Sequence, residues 1–292
     1  MTLASSAPSQ NRTIAPERRS FALSLLASQV SIPSTRSAAE RNAHVIALCA
    51  KIQQVIDASG PVDLVVLPEL CTIEYGADAF AHLDVLAGPV NGPSSQAFAQ
   101  LACNTAAMVV FGLARSTERG YFISQLIIDR SGRVAGCYDK MHLCQYGAST
   151  ENDFFLPGDR VMFAELNGWR IAPIICYDIR IPELSRTLAL DHGATLLLHC
   201  GVYFRDESFS SWHSFAVTRA MENQVYQLSL NRVGAGYSGS VFCPPWVDDD
   251  HPPQFFPTHE QAFVRLQLDP DLLARVRSRY TFLKDRHRAY PI

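Results

Sequence analysis

Between Arg170 and Arg186 the chain reads RIAPIICYDIRIPELSR, a strand, a turn and a helix in succession. Its first half is a short apolar run rich in β-branched residues, which reads as a strand buried on both faces. The run stops at Cys176. YDIRI follows as a turn, and Pro182 opens a helix to Asp191, because proline is pre-organised for the first helical position. The same alternation extends in both directions. Upstream, FALSLLASQ from Phe21 reads as a strand, and residues 36–58 carry apolar side chains at helical spacing. DLVVLPEL is then a strand, residues 94–104 a helix and AAMVVFGLA a strand. YFISQLIIDRSGRVAGCYDK is a hairpin turning at Ser131 and Gly132. Downstream, ATLLLH is a strand, residues 210–221 a helix, and QVYQLSLN and AFVRLQL are strands. Strands interleaved with helices imply an α/β layered fold. No linker divides the chain, so one domain is expected over residues 21–292. A flexible polar arm containing Pro8 and Pro16 is expected over residues 1–20, and an irregular loop over the Pro-rich residues 243–257.

Composition narrows the function classes. With 292 residues and 48% of them hydrophobic, the chain can bury a large core. Only 18% are charged, below the usual quarter, which points to extensive burial in that core or at a subunit interface. The net charge of −3 gives no basic footprint for nucleic acid. No apolar run approaches the roughly 18 residues of a membrane span. None of the eight cysteines forms a C-x-x-C pair, and most sit in apolar runs, as free thiols of a reducing compartment would. Residues 1–20 lack the apolar centre of a signal peptide, so a cytoplasmic enzyme is expected.

In an α/β sheet ligands gather at the carboxyl ends of strands. Reactive side chains just beyond the apolar runs are Glu69 after DLVVLP, Lys140 after RVAGCYD, and Cys176. Glu151 lies in the polar segment after Lys140. A thiol at a strand–helix junction is expected to be exposed and close to the positive end of a helix dipole, which favours thiolate. Taken singly, each of these residues has an ordinary reading as a core thiol, a solvated rim charge or a first-turn acid. The signal is their joint occurrence. Other matches fail on context. Gly234, Gly236 and Gly239 fit G-x-G-x-x-G, but SVFCPPW and no helix follows. Asp248–Asp250 lack the ligand spacing of a cation site, and the nine histidines form no ligand pair, so no metal and no cofactor are expected.

LVVLPEL, YDKMHL, ENDFFLPGD and GWRIAPIICYDIRIPELSR, in that order, resemble the nitrilase, or carbon–nitrogen hydrolase, superfamily. WHSFAVTRAMENQVY, NRVG and LKDRHRAY add to the resemblance, which runs from about Phe21 to the end. It implies a four-layer αββα sandwich, paired across a dimer interface as αββα–αββα, and a cofactor-free cysteine hydrolase. It implies that Cys176 is the nucleophile, Glu69 the general base and Lys140 the oxyanion partner, with Glu151 orienting Lys140. Superfamily members have a strand, a tight turn and a return strand where this chain has its Pro-rich loop. Members acting on nitriles typically carry Trp-Glu after the nucleophile; Tyr177-Asp178 here favours amide or carbamoyl substrates. Arg180 is expected to pair a substrate carboxylate or else Glu183 or Asp178. Tyr75, Tyr177, His199 and Tyr203 are expected to line the substrate pocket, His199 having the alternative of a satisfied core residue. The expected reaction is hydrolysis of a small linear amide, with an ω-amide of a carboxylic acid as one candidate. An N-carbamoyl amino acid amidohydrolase is the alternative, and a nitrilase or a non-catalytic binding protein is a more distant one.

Overall fold

The computed structural model describes residues 21–147 and 149–287; the expected arm at residues 1–20 and the last residues of LKDRHRAY lie outside this range. Two six-stranded sheets pack face to face. The first contains β1 (Leu23–Gln29), β2 (Leu64–Val66), β3 (Met108–Thr117), β4 (Gly120–Ile128), β5 (Val134–Asp139) and, closing the chain, β12 (Ala262–Leu268), in the order β12-β1-β2-β3-β4-β5. The second contains β6 (Ala164–Leu166), β7 (Trp169–Ile175), β8 (Leu196–Gly201), β9 (Tyr226–Asn231), β10 (Val241–Cys243) and β11 (Gln254–Phe255), in the order β11-β10-β9-β8-β7-β6. Each sheet has a parallel centre, β1-β2-β3 and β7-β8-β9, with antiparallel neighbours outside it.

The period-two alternation of strand side chains sorts the apolar runs into layers. Leu25, Leu64, Val66 and Val110 of the first sheet meet Ile171, Leu196, Leu198 and Leu228 of the second in the central core. Leu26, Val65, Val109 and Phe111 point the other way, under the helices Ala38–Ser59 and Pro93–Thr105. Ala172, Ile174 and Leu197 pack outward beneath the helices Pro182–Arg186 and Phe209–Asn223. The layer order is therefore αββα. Local chemistry sets the helix ends. Ser37 Oγ accepts from the Glu40 amide while Glu40 Oε2 accepts from the Ser37 amide, a capping box that starts the first helix.

Two expectations need correction. The Pro-rich loop does not replace the strand pair: Val241 pairs with Phe255 and Phe242 with Gln254, so the prolines span a long hairpin on the sheet edge. The helix expected from Pro182 to Asp191 is α-helical only to Arg186 and continues as a π-helical turn over Thr187–Asp191.

Candidate active site

Cys176 lines a cavity of about 200 Å³, and a fully buried cluster of Glu69, Lys140 and Glu151 is joined to the cavity wall through Tyr75 and Cys144. β7 delivers Cys176. The segment after β2 brings Glu69, the end of β5 brings Lys140, and the short helix Glu151–Phe154 brings Glu151. Lys140 Nζ donates to Glu69 Oε1 at 2.9 Å and to Glu151 Oε1 at 2.7 Å, and all three side chains are fully buried. An ammonium has three hydrogens. Two are directed at these carboxylates, and no third acceptor of Lys140 Nζ is found among the described residues. Glu69 Oε2 is buried and accepts no hydrogen bond among the described residues. Tyr75 OH, on the cavity wall, donates to Glu151 Oε1 at 2.8 Å, and the Cys144 amide donates to Glu151 Oε2 at 2.9 Å. Glu151 is thus held from three sides.

Electrostatics divides the roles. Burial raises the Glu69 carboxyl to about 7, Lys140 opposing the shift and Glu151 adding to it. Burial works against the Lys140 ammonium, but Glu151 and Glu69 outweigh it and hold the group charged well above its ordinary range. Burial pushes the Cys176 thiol well up, against the pull of Lys140. This corrects the expectation of an exposed, dipole-activated thiolate: Cys176 is 8% exposed, and a 3₁₀ turn, Cys176–Arg180, follows it. The sulfur is a neutral thiol that needs a base, and it feels the charges of Lys140, Glu69 and Glu151.

Asp178 ties the elements together. It is fully buried and accepts from Tyr138 OH at 2.7 Å, from the His142 amide at 3.0 Å and from the Ile175 amide at 3.0 Å. Tyr138 and His142 flank Lys140, so one carboxylate fixes the lysine strand to the cysteine turn. Arg180 therefore has no ion pair with Asp178, nor with Glu183, among the described residues. Its guanidinium lines the cavity, donates to Ser211 Oγ and the Ser208 carbonyl, and lies over the Phe215 ring.

Tyr75, Tyr177 and Tyr203 stand in the cavity wall. His199 does not. It is fully buried beneath the site, where its Nε2 meets the Cys176 carbonyl oxygen at 3.0 Å and its Nδ1 meets Ser229 Oγ at 2.6 Å. Sequence reasoning missed Arg232, buried behind Glu69, whose Nη2 donates to the carbonyls of Leu70 at 3.1 Å and Glu69 at 3.3 Å. It also missed Tyr146, Cys144 and Asp206 on the wall. The NRVG motif marked the place of Arg232 without indicating its role. No group of three or more potential metal ligands occurs among the described residues.

Comparison with known proteins gives the family. The sequence profile described as carbon-nitrogen hydrolase matches residues 27–252. An (R)-stereoselective amidase of Pseudomonas sp is 32% identical over 242 residues, covering 82% of this chain and 85% of that protein. Omega-amidase YafV of Escherichia coli K12 is 32% identical over 177 residues, 61% of this chain and 64% of its own length. A carbon-nitrogen hydrolase structure from Helicobacter pylori G27 superposes with a TM-score of 0.79 at 20% identity, covering 91% of this chain and 95% of that one, a likeness of fold. The chain belongs to the carbon–nitrogen hydrolase family and is an amidase-like member of it.

Proposed function

We propose that the protein hydrolyses a small linear amide through a thioester on Cys176. One observation carries this reading: a charged Lys140 is clamped between two buried carboxylates beside a cavity that opens on a buried thiol. Glu69 Oε2, which has no hydrogen-bond partner among the described residues, takes the thiol proton as sulfur attacks the amide carbon. The oxygen that becomes negative is met by the third Lys140 hydrogen and by the Tyr177 amide. Each such donor in a dry site is worth about 3–4 kcal/mol of barrier. Glu69 returns the proton to nitrogen, the C–N bond breaks and ammonia leaves. Glu69 then deprotonates a water that attacks the thioester, releasing the carboxylic acid and restoring the thiol. Glu151 and Tyr75 position the lysine.

Arg180 favours a substrate with a carboxylate, because its guanidinium faces the cavity without an acidic partner among the described residues. An ω-amide of a carboxylic acid fits, and so does an N-carbamoyl amino acid. A panel of simple amides, ω-amides, ureido acids and nitriles, assayed for ammonia, tests the reading. Carbon dioxide released with the ammonia would move the assignment to the carbamoylase. Ammonia from nitriles alone would refute the amidase. A mass increase on Cys176 corresponding to the acyl group is expected after rapid quenching. The enzyme acts in the cytoplasm, in keeping with its free cysteines, and works as a homodimer or a larger assembly.

A further inference from the structure

The backbone at Cys176 is left-handed, φ +45°, which a non-glycine residue holds only when its surroundings impose it. What imposes it lies beneath the site. The Cys176 carbonyl oxygen accepts from Tyr203 OH at 3.0 Å and meets His199 Nε2 at 3.0 Å. His199 Nδ1 is 2.6 Å from Ser229 Oγ, and Ser229 Oγ is 2.7 Å from Trp212 Nε1. His199, Ser229 and Trp212 are fully buried. The direction of every bond follows from the donor inventory. A carbonyl oxygen can only accept, so the His199 Nε2 that meets the Cys176 oxygen carries the proton of the neutral imidazole. Nδ1 is then the bare nitrogen and accepts the Ser229 hydroxyl hydrogen, while Ser229 Oγ accepts the indole N–H of Trp212, a group that can only donate. Burial lowers the imidazole to about 4, so it is neutral at neutral pH.

We propose that Trp212, Ser229 and His199 form a positioning relay that sets one histidine tautomer and, with Tyr203, pins the Cys176–Tyr177 peptide so that its N–H is aimed at the developing oxyanion. The described residues contain no cis peptide bond, and in a trans peptide the N–H points opposite to the carbonyl. Two buried donors on the oxygen therefore fix the direction of the Tyr177 amide. They also polarise the peptide and strengthen that amide as a donor. The relay rests on the reading of Cys176 as nucleophile, yet none of its three members touches substrate. Its sequence basis is a histidine on β8 paired across the sheet with a serine on β9, and a tryptophan on the helix Phe209–Asn223 that reaches that serine.

The test combines nitrogen NMR with kinetics. In the ¹⁵N-histidine-labelled protein, the His199 signals, assigned through His199→Gln, are expected to show a protonated Nε2 and a bare Nδ1. A protonated Nδ1 in the wild-type enzyme would overturn the relay. Ser229→Ala removes the donor to Nδ1, and Trp212→Phe removes the first donor while keeping a ring against Tyr203, with which Trp212 stacks at 4.4 Å. Each is expected to lower kcat about tenfold or more with KM within about twofold. His199→Gln, which keeps an N–H for the carbonyl, is expected to retain more activity than His199→Phe. Unchanged kcat in Ser229→Ala, with its tautomer altered, would also overturn the proposal. Turnover by Cys176→Ala would instead remove the nucleophile assignment and leave the tautomer measurement standing, so the two failures are distinguishable.

Discussion

A thiol that is 8% exposed and pushed well above its ordinary range attacks nothing until a neighbour removes its proton. Glu69 is the group in position, and its carboxyl, raised to about 7 chiefly by burial, must be ionised to act. Protonation of Glu69 as pH falls through about 7 should therefore remove the base. The expected kcat/KM rises with pH across that value, and Glu69→Gln flattens the limb while lowering the rate about a hundredfold or more. A profile whose rising limb lies near 4.5 would exclude Glu69 as the titrating base. Cys176→Ala should abolish ammonia release with an unchanged circular dichroism spectrum. Lys140→Met is the informative variant for stability, because it leaves two buried carboxylates without their cation. Breaking a buried pair costs about 3–5 kcal/mol. Thermal unfolding should show that loss at neutral pH and a smaller one in acid, where the stranded carboxylates protonate in the folded state. These side chains were legible in the sequence because each stands just beyond an apolar run or in the polar segment between two. His199 was misplaced because a strand end can face either a cavity or the peptide beneath it. Ser229 and Trp212 were invisible because nothing local distinguishes a buried serine hydrogen-bonded to a histidine from one that fills space.

At the level of elements, the Glu69 segment is held by features that no linear pattern discloses. Leu70 adopts φ +48°, and Arg232, from just beyond β9, donates to the carbonyls around it. β3 crosses the same segment at Gly112. A Cβ there would lie 2.3 Å from the Leu70 nitrogen and 2.3 Å from the Pro68 oxygen, both backbone atoms without side-chain freedom to yield. Gly112→Ala should therefore displace the Glu69 carboxylate. The expected result is a loss of activity of about tenfold or more, with Cys176 still alkylated by a small reagent. Wild-type turnover in that variant would mean the segment tolerates the shift and that Glu69 need not be held so tightly. The strands themselves were readable, since burial on both faces makes them continuous apolar runs between turn residues. The short β10 and β11 were not, because prolines within residues 243–257 masked two strands of three and two residues. The π-helical turn at Thr187–Asp191 keeps the composition of an ordinary helix, so its hydrogen-bond shift carries no sequence mark.

For the whole molecule, the outer helical layer over the second sheet carries a row of half-buried apolar side chains. Ile181, Leu190, Phe215 and Val217 are only half-buried there, packed on the apolar cluster below and open above. Two copies joined through this layer would extend αββα to αββα–αββα. The low share of charged residues supports a permanent contact of this kind over a transient one. The helix Pro182–Arg186 follows the Cys176 turn, Arg180 of that turn donates to the Ser208 carbonyl at the start of Phe209–Asn223, and Phe215 lies 4.8 Å from the Arg180 guanidinium, so assembly would brace one wall of the cavity. Light scattering at micromolar concentration should then report about twice the chain mass of 32.3 kDa or a multiple of that dimer. Val217→Glu places a charge on the half-buried face and should shift the population to monomer. KM for a carboxylate-bearing amide should rise in step, because Arg180 loses its support. A wild-type monomer would refute the pairing. A dimer that survives Val217→Glu would place the interface on another face, and a monomeric variant with unchanged KM would show that the cavity wall stands without its partner.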